Sequence, residues 1–471
     1  MLPDETDPAL ARPELPFPPG FVWGAATAAF QIEGATTVDG RTPSIWDTFC
    51  RLPGAVTNGD TGEPGADHYR RMAEDVRLMT DLGLRAYRFS IAWPRVRPDG
   101  GAPNPAGMDF YQRLVDTLLR HDITPCATLY HWDLPQVLED RGGWVNRDTA
   151  YRFAEYAETV LQRLGDRVPH WTTLNEPWCS AFLGYARGRH APGRTEPEAA
   201  VAAAHHLLLA HGLGTAVIRR HAPHASAGVT LNLFPVHAAD PGDPGDLDTA
   251  RKVDGLQNRM FLAPVLLGSY PDDVLTDLAP FGLAEHVRPD DLGTISAPLD
   301  MLGVNYYRDL HVSSRPDERS GPPSEWVGAE HVSFPSRGLP RTDVDWEVTS
   351  EGLTELLVSL HEKYPRIPLY ITENGAAYPD RAGPDGIVHD VDRIGFLDAH
   401  LRAAHAAIER DVDLRGYFYW SLLDNFEWAE GYAKRFGLVH VDFASQRRTP
   451  KQSALWYSGV IAGNGLRAVG E

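Results

Sequence analysis

Eight short apolar runs, each followed by a stretch of helical period, constrain this chain more than any other feature of its sequence. They cover residues 22–24, 86–91, 125–130, 171–175, 228–234, 301–307, 369–372 and 416–421. They lack clean apolar/polar alternation, as expected of parallel strands covered on both faces. Between them, Tyr69, Met72, Val76, Met79 and Leu82 fall at helical spacing. Phe110, Leu114, Val115, Leu118 and Leu119 make a second stripe, and Leu353, Leu356, Leu357 and Leu360 a third. Ala-rich 198–220 and 393–410 read as long helices. Strand–helix alternation repeated eight times predicts an α/β protein, a closed single (β/α)8 TIM barrel. An open doubly wound sheet would need a glycine-rich dinucleotide turn after a strand. The nearest candidate, HGLGTAV at 211–217, ends a helical stretch and lacks the third glycine. The expected organisation is a loosely ordered extension at 1–19, a barrel over 20–461 and a tail at 462–471. Segments 240–248 and 309–345 read as long loops.

A length of 471 residues suits one barrel with insertions. Lys and Arg total 44 against 64 for Asp and Glu, a net charge of −20. Such a chain repels phosphate backbones and anionic lipid, and no basic run offsets this, so neither nucleic acid nor a membrane is an expected partner. No uninterrupted apolar run approaches ~18 residues, and the first twenty residues do not read as a secretory leader. Cys50, Cys126 and Cys179 lie far apart without metal-ligand spacing, so free thiols and a cytoplasmic location are expected. No HExxH or comparable cluster argues for a metal, and no cofactor is expected.

The polar residues at the run ends carry the chemistry. Arg88 lies in the second run, and His131 and Trp132 follow the third. Asn175 and Glu176 close the fourth, Asn305 and Tyr307 the sixth, Glu373 the seventh, and Trp420 lies in the eighth. In a closed barrel these C-terminal ends open onto one face. Glu176 and Glu373 each follow a hydrophobic strand, where an acid is costly to desolvate unless it is used or paired. Two carboxylates on one rim suit glycoside hydrolysis: one protonates the leaving oxygen while the other attacks or activates water. Their surroundings should separate their pKa values, with Arg88 and the Tyr307 hydroxyl stabilising an ionised Glu373.

TLNEP (173–177), ITENG (371–375) and FVWGAATAAFQIEG (21–34) stand in the chain with YRFSIAWPR (87–95), TLYHWDLPQVLEDRGGW (128–144), NYY (305–307) and YWSLLDNFEWAEGYAKRFGLVHVD (419–442). On these motifs the chain resembles the family 1 glycoside hydrolases, the β-glucosidase family. The first two are similar to its two signatures, the third to its opening one, and all run in the family's order. The resemblance implies Glu176 as general acid/base and Glu373 as nucleophile, a retaining mechanism, and carboxyl groups about 5–5.5 Å apart. It implies Asn175 as ligand of the sugar 2-hydroxyl, and Tyr307 and Arg88 as holders of the nucleophile. It places Gln31, His131, Trp132, Glu427 and Trp428 on the hydroxyls of the non-reducing sugar. Trp420 becomes the platform under that ring, Asn305 and Phe436 its walls, and Trp346 the stacking partner of the leaving group. The expected partner is a small β-glycoside or oligosaccharide, and the expected activity that of a β-glucosidase. The alternatives are a 6-phospho-β-glycosidase, a transglycosylase or a non-catalytic sugar-binding barrel. Glu427 would repel a sugar phosphate, and Phe436 stands where phosphate-binding relatives carry tyrosine, although Lys434 is present. Trp23, Trp46, Trp93 and Trp171 are expected in the core, one of His205 and His206 is expected to be buried, and Asp424 and Asn425 are expected to shape a loop.

Overall fold

The computed structural model describes residues 14–364, 367–384 and 386–467. Eight parallel strands close into a barrel: β1 (Val22–Ala26), β2 (Ala86–Ser90), β3 (Thr124–Tyr130), β4 (His170–Asn175), β5 (Ser226–Asn232), β6 (Met301–Asn305), β7 (Leu369–Asn374) and β8 (Leu414–Trp420). Neighbours in space are neighbours in sequence, and β8 returns to β1 with Gly416 opposite Val22 and Trp420 opposite Ala26. Each expected run is a strand, and the ends agree within two residues. Those ends differ because hydrogen bonding, rather than hydrophobicity, terminates a strand.

Helices cover the outside. α1 (His68–Asp81) buries Met72, Val76 and Met79, and α2 (Pro105–Arg120) buries Phe110, Leu114, Val115 and Leu118. Leu119 does not join that stripe and is 41% exposed. At about 100° per residue it points over 100° from the stripe's centre, beyond the face that meets the barrel. α3 (Asp148–Leu164) packs against α4 (Pro197–His221). α4 is apolar on all sides and long enough to cross a bilayer, but 89% of its most apolar window is buried inside the protein. It lies between α3 and the π-helical segment Cys179–Arg187. Both His205 and His206 are buried, not one of them. His205 meets Tyr270 Oη and Asp291 Oδ2, each at 2.9 Å, and His206 Nδ1 donates to Trp144 O at 3.0 Å. Further helices on the outside are α5 (Met260–Leu267), α6 (Glu351–Lys363), α7 (Val391–Ile408) and α8 (Gln452–Gly463).

Three expectations about irregular segments need correction. A helix, Pro244–Asp254, begins inside the expected 240–248 loop. Asp243 Oδ1 accepts from Gly245 N at 2.8 Å and proline occupies the first helical turn, so the Asp-Pro-Gly composition that suggested a loop is a helix start. The expected 309–345 loop contributes a strand, Leu310–Val312, which pairs in parallel with Val236–Ala238. The described part of the N-terminal extension is not loose: Leu15–Pro16 pairs antiparallel with Gly465–Leu466 of the expected tail. Phe17 is buried there, and Trp23 Nε1 donates to Asn464 Oδ1 at 2.9 Å. Residues 1–13 and 468–471 lie outside the described residues.

The rim where β7 and β8 end is tight. A Cβ placed on Gly375 would lie 1.7 Å from the carbonyl oxygen of Trp420. Gly375→Ala is therefore expected to destabilise the fold by about 1–3 kcal/mol, the cost of overpacking against backbone. An unchanged urea midpoint would show that this approach is not needed.

Candidate active site

A cavity of about 580 Å³ opens at the C-terminal ends of the strands. Glu373 is the next-to-last residue of β7, and Glu176 follows β4 directly. Glu176 has φ +47°, Trp132 +75° and Trp428 +49°. Left-handed backbone is costly for side chains of this size, and it recurs here at three residues that line the cavity.

The two acids differ in their partners. Arg88 Nη1 donates to Glu373 Oε1 at 2.5 Å, and Tyr307 Oη donates to Oε2 at 2.8 Å. Arg88 Nη2 also donates to Asn175 Oδ1 at 2.6 Å, so one guanidinium ties β2 to both β4 and β7. Among the described residues Glu176 forms no ion pair. Its Oε1 accepts from Asn305 Nδ2 at 2.6 Å and its Oε2 from the Cys179 thiol at 3.2 Å. Burial raises both carboxyls above their ordinary value, and the charge of Glu373 raises Glu176 further. For Glu373 the Arg88 charge and the Tyr307 hydrogen bond work in the opposite direction. The negative charge therefore resides on Glu373 and the proton on Glu176. The Asn305 amide favours the ionised form of both acids, which places one carboxamide within reach of the pair.

At the closed end, His131, Trp132, Trp420, Glu427, Trp428 and Phe436 line the wall. Asn175 Nδ2 donates to His131 Nε2 at 3.1 Å and leaves His131 Nδ1 buried without a partner. Gln31 lies beside Glu427: its Nε2 donates to Phe426 O at 2.9 Å and Asn425 Oδ1 at 3.1 Å, and its Oε1 is buried and unpaired among the described residues. Buried polar atoms without partners are uncommon, and those of His131 and Gln31 suit the hydroxyl rim of a sugar. Burial and the charges of Glu373, Glu430 and Glu176 push Glu427 up to about 8, so at neutral pH it can both donate and accept. Trp420 and Trp428 both lie with ring centroids 5.8 Å from His131, near parallel to it. Gln31, Arg88, Asn175 and Asn305 are buried, and each hydrogen-bonds a residue that lines the cavity: Glu427, Glu373, His131 and Glu176 respectively. Asp424 shapes the loop, taking Lys451 Nζ at 2.7 Å and Arg435 Nη1 at 2.6 Å. Trp23, Trp46, Trp93 and Trp171 are core, and Trp46 packs 4.7 Å behind Trp428.

Around Trp346, which was expected to stack the leaving group, the mouth holds residues that the sequence did not single out. Trp346 lies 5.4 Å from Tyr307, with the Arg308 guanidinium 5.3 Å above its ring. Opposite stand Trp178 and Trp326, 5.2 Å apart. Trp326 comes from the 309–345 segment, which has no periodicity from which a position can be read. Trp178 could have been found, since it stands two residues after Glu176. Cys179 could have been found in the same way, three residues on. Removing its weak hydrogen bond by Cys179→Ala leaves an ionised Glu176 less stabilised. The alkaline limb of the kcat profile is then expected to move up by about half a pH unit, with Cys179→Ser restoring it. A downward move would mean that the thiol does not act on Glu176.

The sequence model described as Glycosyl hydrolase family 1 matches residues 14–466. The chain is 54% identical over 460 residues to the thermostable beta-glucosidase B of Thermobispora bispora, covering 97% of this chain and 93% of that protein. A crystal structure of a psychrophilic beta-glucosidase from Micrococcus antarcticus superposes with a TM-score of 0.93 at 54% identity, covering 95% of this chain and 98% of that one. A beta-glucosidase from Thermotoga maritima in complex with deoxynojirimycin superposes with a TM-score of 0.91 at 45% identity, covering 96% and 100%.

Proposed function

Because the chain belongs to glycosyl hydrolase family 1, we propose that it is a retaining β-glucosidase acting on terminal β-D-glucosyl residues of small glycosides and oligosaccharides. The observation that carries this reading is the asymmetry of the acid pair. Glu373 is held by Arg88 and Tyr307, whereas among the described residues Glu176 is hydrogen-bonded by Asn305 and a thiol alone. Glu373, ionised, attacks the anomeric carbon, while Glu176 gives its proton to the departing oxygen. The C1–O bond to the aglycone breaks and a glycosyl ester to Glu373 forms. That ester removes the negative charge of Glu373, which had raised Glu176, so Glu176 becomes more acidic. As a carboxylate it then takes a proton from water, which attacks C1 and frees Glu373. The beta-glucosidase names of the relatives support glucose as the preferred sugar.

A 6-phosphorylated sugar is disfavoured by the fold of the 419–442 segment. Lys434 is already engaged by Asp343, through O at 2.5 Å and Oδ2 at 3.1 Å, and so is not free to take a phosphate. Cys50, Cys126 and Cys179 are free and buried, which supports a reducing, cytoplasmic setting. The mechanism is tested by following the anomers of glucose released from an aryl β-glucoside by proton NMR. β-Glucose should appear first and mutarotate later, whereas α-glucose first would exclude retention.

A further inference from the structure

Two imidazoles stand side by side outside the catalytic cavity. His237 follows β5 and His311 follows β6, and they face each other across the parallel pair Val236–Ala238 and Leu310–Val312. Their ring centroids are 4.9 Å apart. Asp309 precedes His311 by two positions, the spacing that returns a side chain to the same face of an extended segment. One ligand atom from each of His237, Asp309 and His311 lies within 4.8 Å of the others, the one such cluster among the described residues. A second carboxylate approaches from α6, with Glu355 Oε2 3.3 Å from His237 Nε2. All four side chains retain access to solvent, with relative exposures of 33%, 29%, 10% and 54% for His237, His311, Asp309 and Glu355.

The geometry points to a binding site for one divalent transition-metal ion of the zinc type, held by His237, His311, Asp309 and Glu355. Two imidazoles and two carboxylates suit a borderline cation in tetrahedral coordination, and suit magnesium or calcium, which take oxygen ligands, poorly. With metal–ligand distances of about 2.0–2.2 Å, tetrahedral ligand atoms lie about 3.4 Å apart. The His237–Glu355 contact is already at that spacing, and His311 Nε2 lies 3.8 Å from Asp309 Oδ2. Asp309 is shared: Arg337 Nη2 donates to its Oδ1 at 2.6 Å and Nη1 to its Oδ2 at 3.0 Å. A carboxylate offers about four acceptor positions, so two remain for a metal. The Arg337 charge is also met by Glu347 Oε2 at 2.7 Å, which limits its repulsion of a cation. The ligands come from three separate segments, and Asp309, His311 and Arg337 also line an outer cavity of about 840 Å³ beside the catalytic mouth. A bound ion would join the segments after β5 and β6 to α6 and stiffen that cavity wall without touching Glu176 or Glu373.

Titrating the chelator-treated protein with ZnCl2 in a calorimeter should show one equivalent binding, with no heat from MgCl2. His237→Ala and His311→Ala should each weaken it at least tenfold, while glycosidase activity measured without metal stays at the level of the parent. CoCl2 should give the visible bands of a tetrahedral nitrogen–oxygen site without thiolate charge transfer. Absence of stoichiometric binding, binding that survives in both histidine variants, or a thiolate spectrum would each overturn the assignment. The melting temperature should rise with ZnCl2 in the parent and not in the variants, because an ion that binds only the folded chain stabilises it.

Discussion

Glu373→Ala is expected to lower kcat on aryl β-glucosides by about 10⁴–10⁶-fold, the scale on which loss of a covalent nucleophile falls. The variant also loses the carboxylate that Arg88 and Tyr307 hold. Azide provides the informative control. It can enter the space left by the side chain and attack C1 from the same face, while Glu176 still protonates the departing oxygen. The product is an α-glucosyl azide, opposite in configuration to the substrate, and the rate should rise with azide concentration. Turnover within tenfold of the parent, or rescue that gives the β-azide, would remove Glu373 from the nucleophile's role. Because the variant also strands the Arg88 charge, its fold should be checked by near-ultraviolet circular dichroism before the rate is interpreted.

Glu176→Ala is expected to produce a different pattern. General acid catalysis contributes about 10²–10⁴-fold, and most where the leaving oxygen is basic. The loss in kcat/KM should therefore be large for alkyl glucosides and cellobiose and small for aryl glucosides with acidic phenols. On the latter, kcat falls because water loses its base, and KM falls with it as glycosyl-enzyme accumulates. The parent's kcat/KM should follow a bell in pH. Activity rises as Glu373 ionises and falls as Glu176 loses its proton, and that fall should lie well above the ordinary value of 4.5 because burial and Glu373 raise Glu176. In Glu176→Ala the alkaline limb should vanish. An equal loss across all leaving groups, or an unchanged alkaline limb, would mean that Glu176 is not the acid.

Much of this was legible from local patterns. The eight runs lay close to the eight strands because a strand buried on both faces must be apolar throughout, whatever its neighbours. Glu176 and Glu373 stood out because an acid directly after such a run has few structural reasons to be there. Stripe edges and loops were harder to read. Leu119 shared the spacing of a core stripe yet faces outward, and the Asp-Pro-Gly composition at 240–248 marked a helix start instead of a loop. Gln31 was expected on the sugar from its motif alone; the structure adds that its Nε2 is held by Phe426 O and Asn425 Oδ1 while its Oε1 is buried without a partner among the described residues.

The amino-acid sequence alone determined the order and kind of the barrel's elements and which acids end its strands, because those follow from periodicity within a dozen residues. Only the tertiary structure decided what each acid meets. Arg88 reaches Glu373 across 285 positions, Asn305 reaches Glu176 across 129, and His237 meets His311 through two segments that no local pattern pairs. The protonation state of a buried carboxyl is set by charges and donors within a few ångströms, and in a closed barrel these neighbours come from strands far apart in the chain.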